Sequence, residues 1–245
     1  MTLFKKTEET PIKTFNRIVE AAAQKARDGH TAAAEERLRA ADALAAKMTP
    51  ASRLLEKGYI KVLQAALQSA KYDATHGLNS SIDQSLAIVD KVAAKLKRPR
   101  NKKKVEDGLL KLLKAALKET EYDATHGYKF SMEPAVELAE KIAKRLASGN
   151  HLDDGLAKVH SAVLGVAEKD VAAHGAKSNI EIPLEIAEKI KAKVSPAKRK
   201  DLKDLTGVLN AAFKSVERNV VRNDRVRARA DVRFAAEIRN KMSPS

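Results

Sequence analysis

The string KYDATHG, from Lys71 to Gly77, returns fifty residues later as EYDATHG, from Glu121 to Gly127, and a looser copy, KDVAAHG, ends at Gly175. Fixed-period self-similarity constrains a fold more than any local propensity, because each copy must be one structural unit. Asp28-Gly29 and Arg222-Asn223 extend the series at either end, Asn being the other residue that accepts a left-handed helix cap. The predicted turns are therefore Gly29, Gly77, Gly127, Gly175 and Asn223.

Five apolar columns follow these turns and align without a gap. They are Ala34, Ile82, Met132, Ile180 and Ala228; then Leu38, Leu86, Val136, Leu184 and Val232; then Ala41, Val89, Ala139, Ala187 and Ala235. The last two are Leu44, Val92, Ile142, Ile190 and Ile238, and Met48, Leu96, Leu146, Val194 and Met242. Steps of four, three, three and four residues trace one face of an α-helix. Thr49-Pro50, Ser195-Pro196 and Ser243-Pro244 read as N-cap followed by N1, so that a long helix starts at each. Pro99 and the stretch Ser148 to Asn150 mark the other two boundaries. Gly58, Gly108 and Gly155 recur inside the long helices, where Gly costs about 1 kcal/mol relative to Ala, and predict a close crossing. The segment from Gly155 to Gly175 is one residue longer than its counterparts, which calls for a bulge or a looser turn.

A unit this short cannot offset its own ordering entropy, so neighbouring units must cover it. The expected fold is all-α: five tandem helical hairpins of about 48 residues, ten helices in total, stacked as an α-solenoid-like array. It forms a single domain over residues 1–245, with units near 1–48, 49–98, 99–148, 149–194 and 195–245, the last ending where the chain ends. No signature residue of tetratricopeptide, HEAT or armadillo units can be placed on it.

With no Cys in the chain, disulfides, thiolate metal sites and cysteine nucleophiles are excluded. No apolar run approaches the ~18 residues of a membrane span, and the start lacks the apolar stretch of a secretory signal. The expectation is a protein of the cytoplasm, or of the inside of a virion, that does not engage membranes. His76, His126 and His174 each precede a turn glycine. Helix C-capping accounts for them, since packed helices lie ~8–10 Å apart, too far for equivalent residues to share a metal. Asp73 and Asp123 read as helix-end hydrogen bonders. No phosphate loop, catalytic triad pattern or paired His on one helix turn is present, so neither a catalytic residue, a cofactor, a metal nor a small-molecule substrate is expected.

Charge is unevenly spread. Lys91 to Lys104 holds eight bases and no acid, and Lys198 to Lys241 holds thirteen bases and six acids; these two segments account for the whole net charge of +15. Concentrated Lys and Arg is the footprint of a surface that meets phosphates or another acidic partner. The candidate anion-binding residues are Lys97, Arg98, Arg100, Lys102, Lys103 and Lys104 in the basic insert, and Arg222, Arg225, Arg229 and Arg233 in the last unit. Four Tyr, five Phe and no Trp leave little for single-stranded bases to stack upon. The function expected is therefore non-enzymatic binding of nucleic acid, or of an acidic protein surface, through backbone-type contacts. The alternative is a structural or adaptor subunit of a larger assembly, such as a virion or secretion-type particle. One further ladder, Lys47, Lys95, Arg145, Lys193 and Lys241, places a base near the end of every short helix, where it would offset the helix dipole.

Overall fold

A computed structural model describes residues 10–48, 52–76, 79–146 and 150–242. Among them are eleven α-helices, one 3₁₀ turn and no strand. In chain order these are α1 (Pro11–Arg27), α2 (Thr31–Ala45), α3 (Ser52–Ala74), α4 (Asn79–Ala93), α5 (Pro99–Thr125) and α6 (Lys129–Ala143). There follow α7 (Asn150–His174), the 3₁₀ turn Gly175–Lys177, α8 (Glu181–Lys193), α9 (Pro196–Arg199), α10 (Thr206–Val221) and α11 (Arg225–Met242).

Positive φ angles fall at four of the five expected turns: Gly29 (75°), Gly127 (75°), Gly175 (60°) and Asn223 (57°). Gly77 lies outside the described residues, as do Thr49-Pro50 and Ser243-Pro244. The histidines before the turns cap helix ends. Nδ1 of His76 donates to the Tyr72 carbonyl at 2.7 Å and that of His126 to the Tyr122 carbonyl at 2.7 Å, each imidazole stacked on that tyrosine's ring. His174 instead meets the Asp170 carboxylate at 2.8 Å. The extra residue before Gly175 lies within α7, which runs to His174 where α5 stops two residues short of Gly127; the 3₁₀ turn follows.

The chain divides into two compact units, the first comprising described residues up to 116 with 145 and 146, the second the remainder. In the first, α1 packs on α2 and α3, and α3 on α4. In the second, α7 packs on α8 and α10, and α10 on α11. The apolar columns line these seams. Ile82, Leu86, Val89, Val92 and Leu96 are all buried, as are Met132, Val136, Ala139, Ile142 and Leu146, and likewise Ile180, Leu184, Ala187, Ile190 and Val194. Fully burying a side chain of this size contributes about 1.5–3 kcal/mol, so the seams supply most of the driving force that single pairs lack. Leu44, Met48 and Met242 are only half-buried.

The structure corrects the sequence reading at three places in the last pair. Eleven helices replace the expected ten, because the fifth long helix is interrupted between α9 and α10. Arg199 folds back to donate to the Val194 and Ala192 carbonyls at 2.8 and 2.7 Å, and Asp204 accepts the Thr206 amide at 3.0 Å to start α10 afresh. Hydrogen bonding from the Thr206 side chain first, and from its amide second, holds the Asp204 carboxyl below the usual range. Ser195 makes no side-chain cap on α9; its own amide is taken by Asp153 at 3.0 Å. Val232 is exposed, whereas the neighbouring Asp231 is buried.

Candidate functional site

Glycines in the long helices set the spacing between successive pairs. A Cβ built on Gly58 would lie 2.9 Å from Phe15 and 3.3 Å from Val19; on Gly108, 2.3 Å from Leu67; on Gly155, 2.2 Å from Leu117. Each glycine is thus the seat of an apolar knob from the preceding pair. The expected close crossing is there, made by a side chain resting on bare backbone.

Alongside the knobs runs a series of ion pairs between short helices. Lys91 on α4 reaches Glu35 on α2 at 2.7 Å, and Lys95 reaches Asp42 at 2.7 Å. Arg145, just past α6, clamps Asp90 on α4, with Nη2 at 2.9 Å and Nε at 3.0 Å. On α8, Lys189 pairs with Glu133 of α6 and Lys193 with Glu140 at 3.0 Å. Lys95, Arg145 and Lys193 belong to the ladder read as dipole compensation. Their partners are carboxylates on the neighbouring pair, at equivalent positions one unit back. The signal was present in the sequence as a parallel ladder of acids, Asp42, Asp90, Glu140 and Glu188. The pairs are half-exposed, so each contributes about 0.2–1 kcal/mol; their larger effect is to fix register.

The basic insert does not take part in this series. All six of its candidates, Lys97, Arg98, Arg100, Lys102, Lys103 and Lys104, are exposed. Arg100 to Lys104 form the opening of α5, with Pro99 as its first residue. A buried carboxylate on α3 holds this stretch: Glu56 accepts the Lys97 amide at 3.3 Å and the Asn101 side-chain amide, with Arg98 Nε 3.7 Å away. Asp153 does the same for the Ser195 amide two boundaries later. An acid two residues before each helical glycine was the sequence sign of this clasp.

Fastened in this way, the insert forms one wall of a groove of about 670 Å³ whose other wall is α3. Arg98, Arg100 and Lys104 line it from the insert, Lys57 and Lys61 from α3, with Leu54 and Ile60 between them and no carboxylate in the lining. Lys57 and Lys61 were not anticipated from the sequence. Lys61 also reaches Glu20 at 2.6 Å. Lys97, Lys102 and Lys103 lie outside the groove lining.

Arg222, Arg225, Arg229 and Arg233 sit in the second unit, at the C-cap of α10 and along α11, and all four are exposed. Beneath them Asp231 accepts from the Ala176 amide at 2.7 Å, Ser215 Oγ at 2.7 Å and Asn219 Nδ2 at 2.8 Å. This node ties α10 and α11 to the turn after α7.

A second cavity, of about 740 Å³, opens beside the break between α9 and α10. Buried His160 lines it together with Leu184, Glu188, Lys191 and Leu205. Burial pushes the His160 pKa down, Glu188 opposes that shift and Lys191 adds to it. No group of three or more acids and histidines placed to hold a metal occurs among the described residues, and none of their helices is long and apolar enough to cross a membrane. Asp73 and Asp123 are buried on α3 and α5. No protein-family model matches the chain, and no curated protein matches it at a significant level.

Proposed function

We propose that the protein is a non-enzymatic helical-repeat protein that binds a polyanion, with the backbone of nucleic acid as the partner its lysine-rich groove suits. The observation that carries this reading is the groove between α3 and the opening of α5, where five cations converge and no carboxylate lines the wall. Elsewhere the short-helix bases are spent on partners within the fold, as Lys91, Lys95, Arg145, Lys189 and Lys193 are. In the groove Lys61 also meets Glu20 and Arg98 lies near Glu56, and a phosphate chain would supply the countercharge for Lys57, Arg100 and Lys104. Arg98 and Arg100 bring planar forks suited to phosphate oxygens. The knobs and ion pairs repeated between successive helix pairs support a single stacked array of five hairpins as the frame. A cytoplasmic or intravirion setting belongs to the same proposal.

Binding of a fluorescently labelled DNA duplex, followed by anisotropy over a salt series, tests it. Log affinity should fall linearly with log salt, by about 0.9 per phosphate neutralised. Replacing Arg98, Arg100 and Lys104 with Ser should flatten that slope by roughly two to three. A parent protein that ignores the duplex at low salt, or a slope untouched by the replacements, removes this reading.

A further inference from the structure

The last helix pair keeps part of the apparatus by which an internal pair receives its successor, with one acid position turned basic and the other neutral. Val19, Leu67 and Leu117, each ten residues before a turn, rest on the glycine of the next long helix. Phe213 holds that register before Asn223 and is 48% exposed. The second apolar column repeats the pattern: Leu38, Leu86, Val136 and Leu184 are buried, whereas Val232 is 53% exposed. At the ion-pair positions, Glu35, Asp83, Glu133 and Glu181 give way to Arg229, and Asp42, Asp90, Glu140 and Glu188 give way to Ala236. Arg225 and Arg233 stand one helical turn to either side of Arg229, and all three are exposed.

We infer that the outer face of α10 and α11 is a docking site for an acidic helical segment of another protein, seated as a sixth pair would be, with carboxylates on Arg225, Arg229 and Arg233 and a small residue over Phe213. The inference rests on the reading that the exposed cations hold an anionic partner, and it names the partner for one of the two basic patches. A second copy of this chain does not meet these terms. Its first pair offers Ala43 and Lys47 at the base positions of the ladder, and Thr10 in the register of Gly58. Exposed Phe213 on α10 and Val232 on α11 favour a protein, because a duplex backbone has no apolar surface to cover them.

The test uses the full chain and three labelled probes: an amphipathic helical peptide with an Ala/Leu stripe flanked by Glu, its counterpart with Lys for every Glu, and a DNA duplex. The Glu peptide should bind and the Lys peptide should not. Phe213→Ala and Val232→Ser, both at exposed positions, should leave the far-ultraviolet dichroism intact and each weaken the Glu peptide about tenfold. Arg225→Glu, Arg229→Glu and Arg233→Glu together should abolish that binding and create binding of the Lys peptide, a gain that misfolding cannot produce. Duplex binding should survive these changes and be lost only with the groove replacements. Should the Glu peptide fail to bind at low salt, or bind equally well after Phe213→Ala and Val232→Ser, the docking site is refuted. It is refuted also if the arginine replacements remove duplex binding while no peptide binds, since the face then serves nucleic acid. A parent that binds the Glu peptide but no duplex overturns the groove reading and leaves the docking site standing.

Discussion

At the scale of single residues, α11 departs from the earlier short helices in burying an acid, Asp231, and in exposing Val232. Asp231 occupies the position of Ser85, Ala135 and Pro183 in the earlier units. Its three hydrogen bonds to Ala176, Ser215 and Asn219 satisfy the buried carboxylate at a position that Ser85 and Ala135 also bury. A carboxylate taken out of water without partners would instead be strongly disfavoured. Hydrophobic periodicity has no means of reading this, because an Asp with buried partners looks like any surface acid in the sequence. His160 is a second such residue. Its pKa is lowered from 6.5, chiefly by burial, so on acidification the unfolded chain takes up a proton that the folded chain refuses. Its contribution to stability is therefore complete above the unfolded value and is lost as pH falls below it. His160→Leu should flatten the fall in urea midpoint below about pH 6.5, the reference value for histidine; parallel profiles for parent and variant would assign that fall to other groups.

Among the elements, four left-handed turns, the buried columns of α4, α6 and α8, and the glycine seats were legible in advance, since each depends on local geometry that one residue type satisfies. The groove was half legible. Arg98, Arg100 and Lys104 stood out as a charge run, whereas Lys57 and Lys61 join them only through the packing of α5 on α3, which no run of sequence displays. The break between α9 and α10 was hidden for a similar reason, because it is fixed by Arg199 reaching backwards to carbonyls of α8. Knob and seat make a separable prediction. Gly108→Val should destabilise the protein by about 1–3 kcal/mol through overpacking against Leu67. Adding Leu67→Ala should recover part of that loss. Denaturant unfolding of the two single variants and the double variant measures the coupling, and simple additivity would mean that the two residues do not meet.

For the molecule as a whole, the convergence of five bases on one groove predicts how it responds to ions. Millimolar sulfate, compared with chloride at equal ionic strength, should raise the melting temperature, because a divalent oxyanion bound only by the folded state stabilises it by mass action. Replacing Arg98, Arg100 and Lys104 with Ser should abolish the difference between the two salts, and a difference that persists would place the anion elsewhere. The ion pairs have a consequence of another kind, for the gene. In the five ion pairs described above between successive short helices, the acid belongs to the earlier unit and the base to the later one. The repeated YDATHG string is the natural crossover point for unequal recombination, and a deletion from Tyr72 through Glu121 would bring Lys141 and Arg145 into the places of Lys91 and Lys95. The signs would still match Glu35 and Asp42, so the frame has a polarity that tolerates loss of a whole hairpin. The casualty would be the opening of α5, so such a shortened descendant would keep its fold and lose the groove proposed to hold a polyanion.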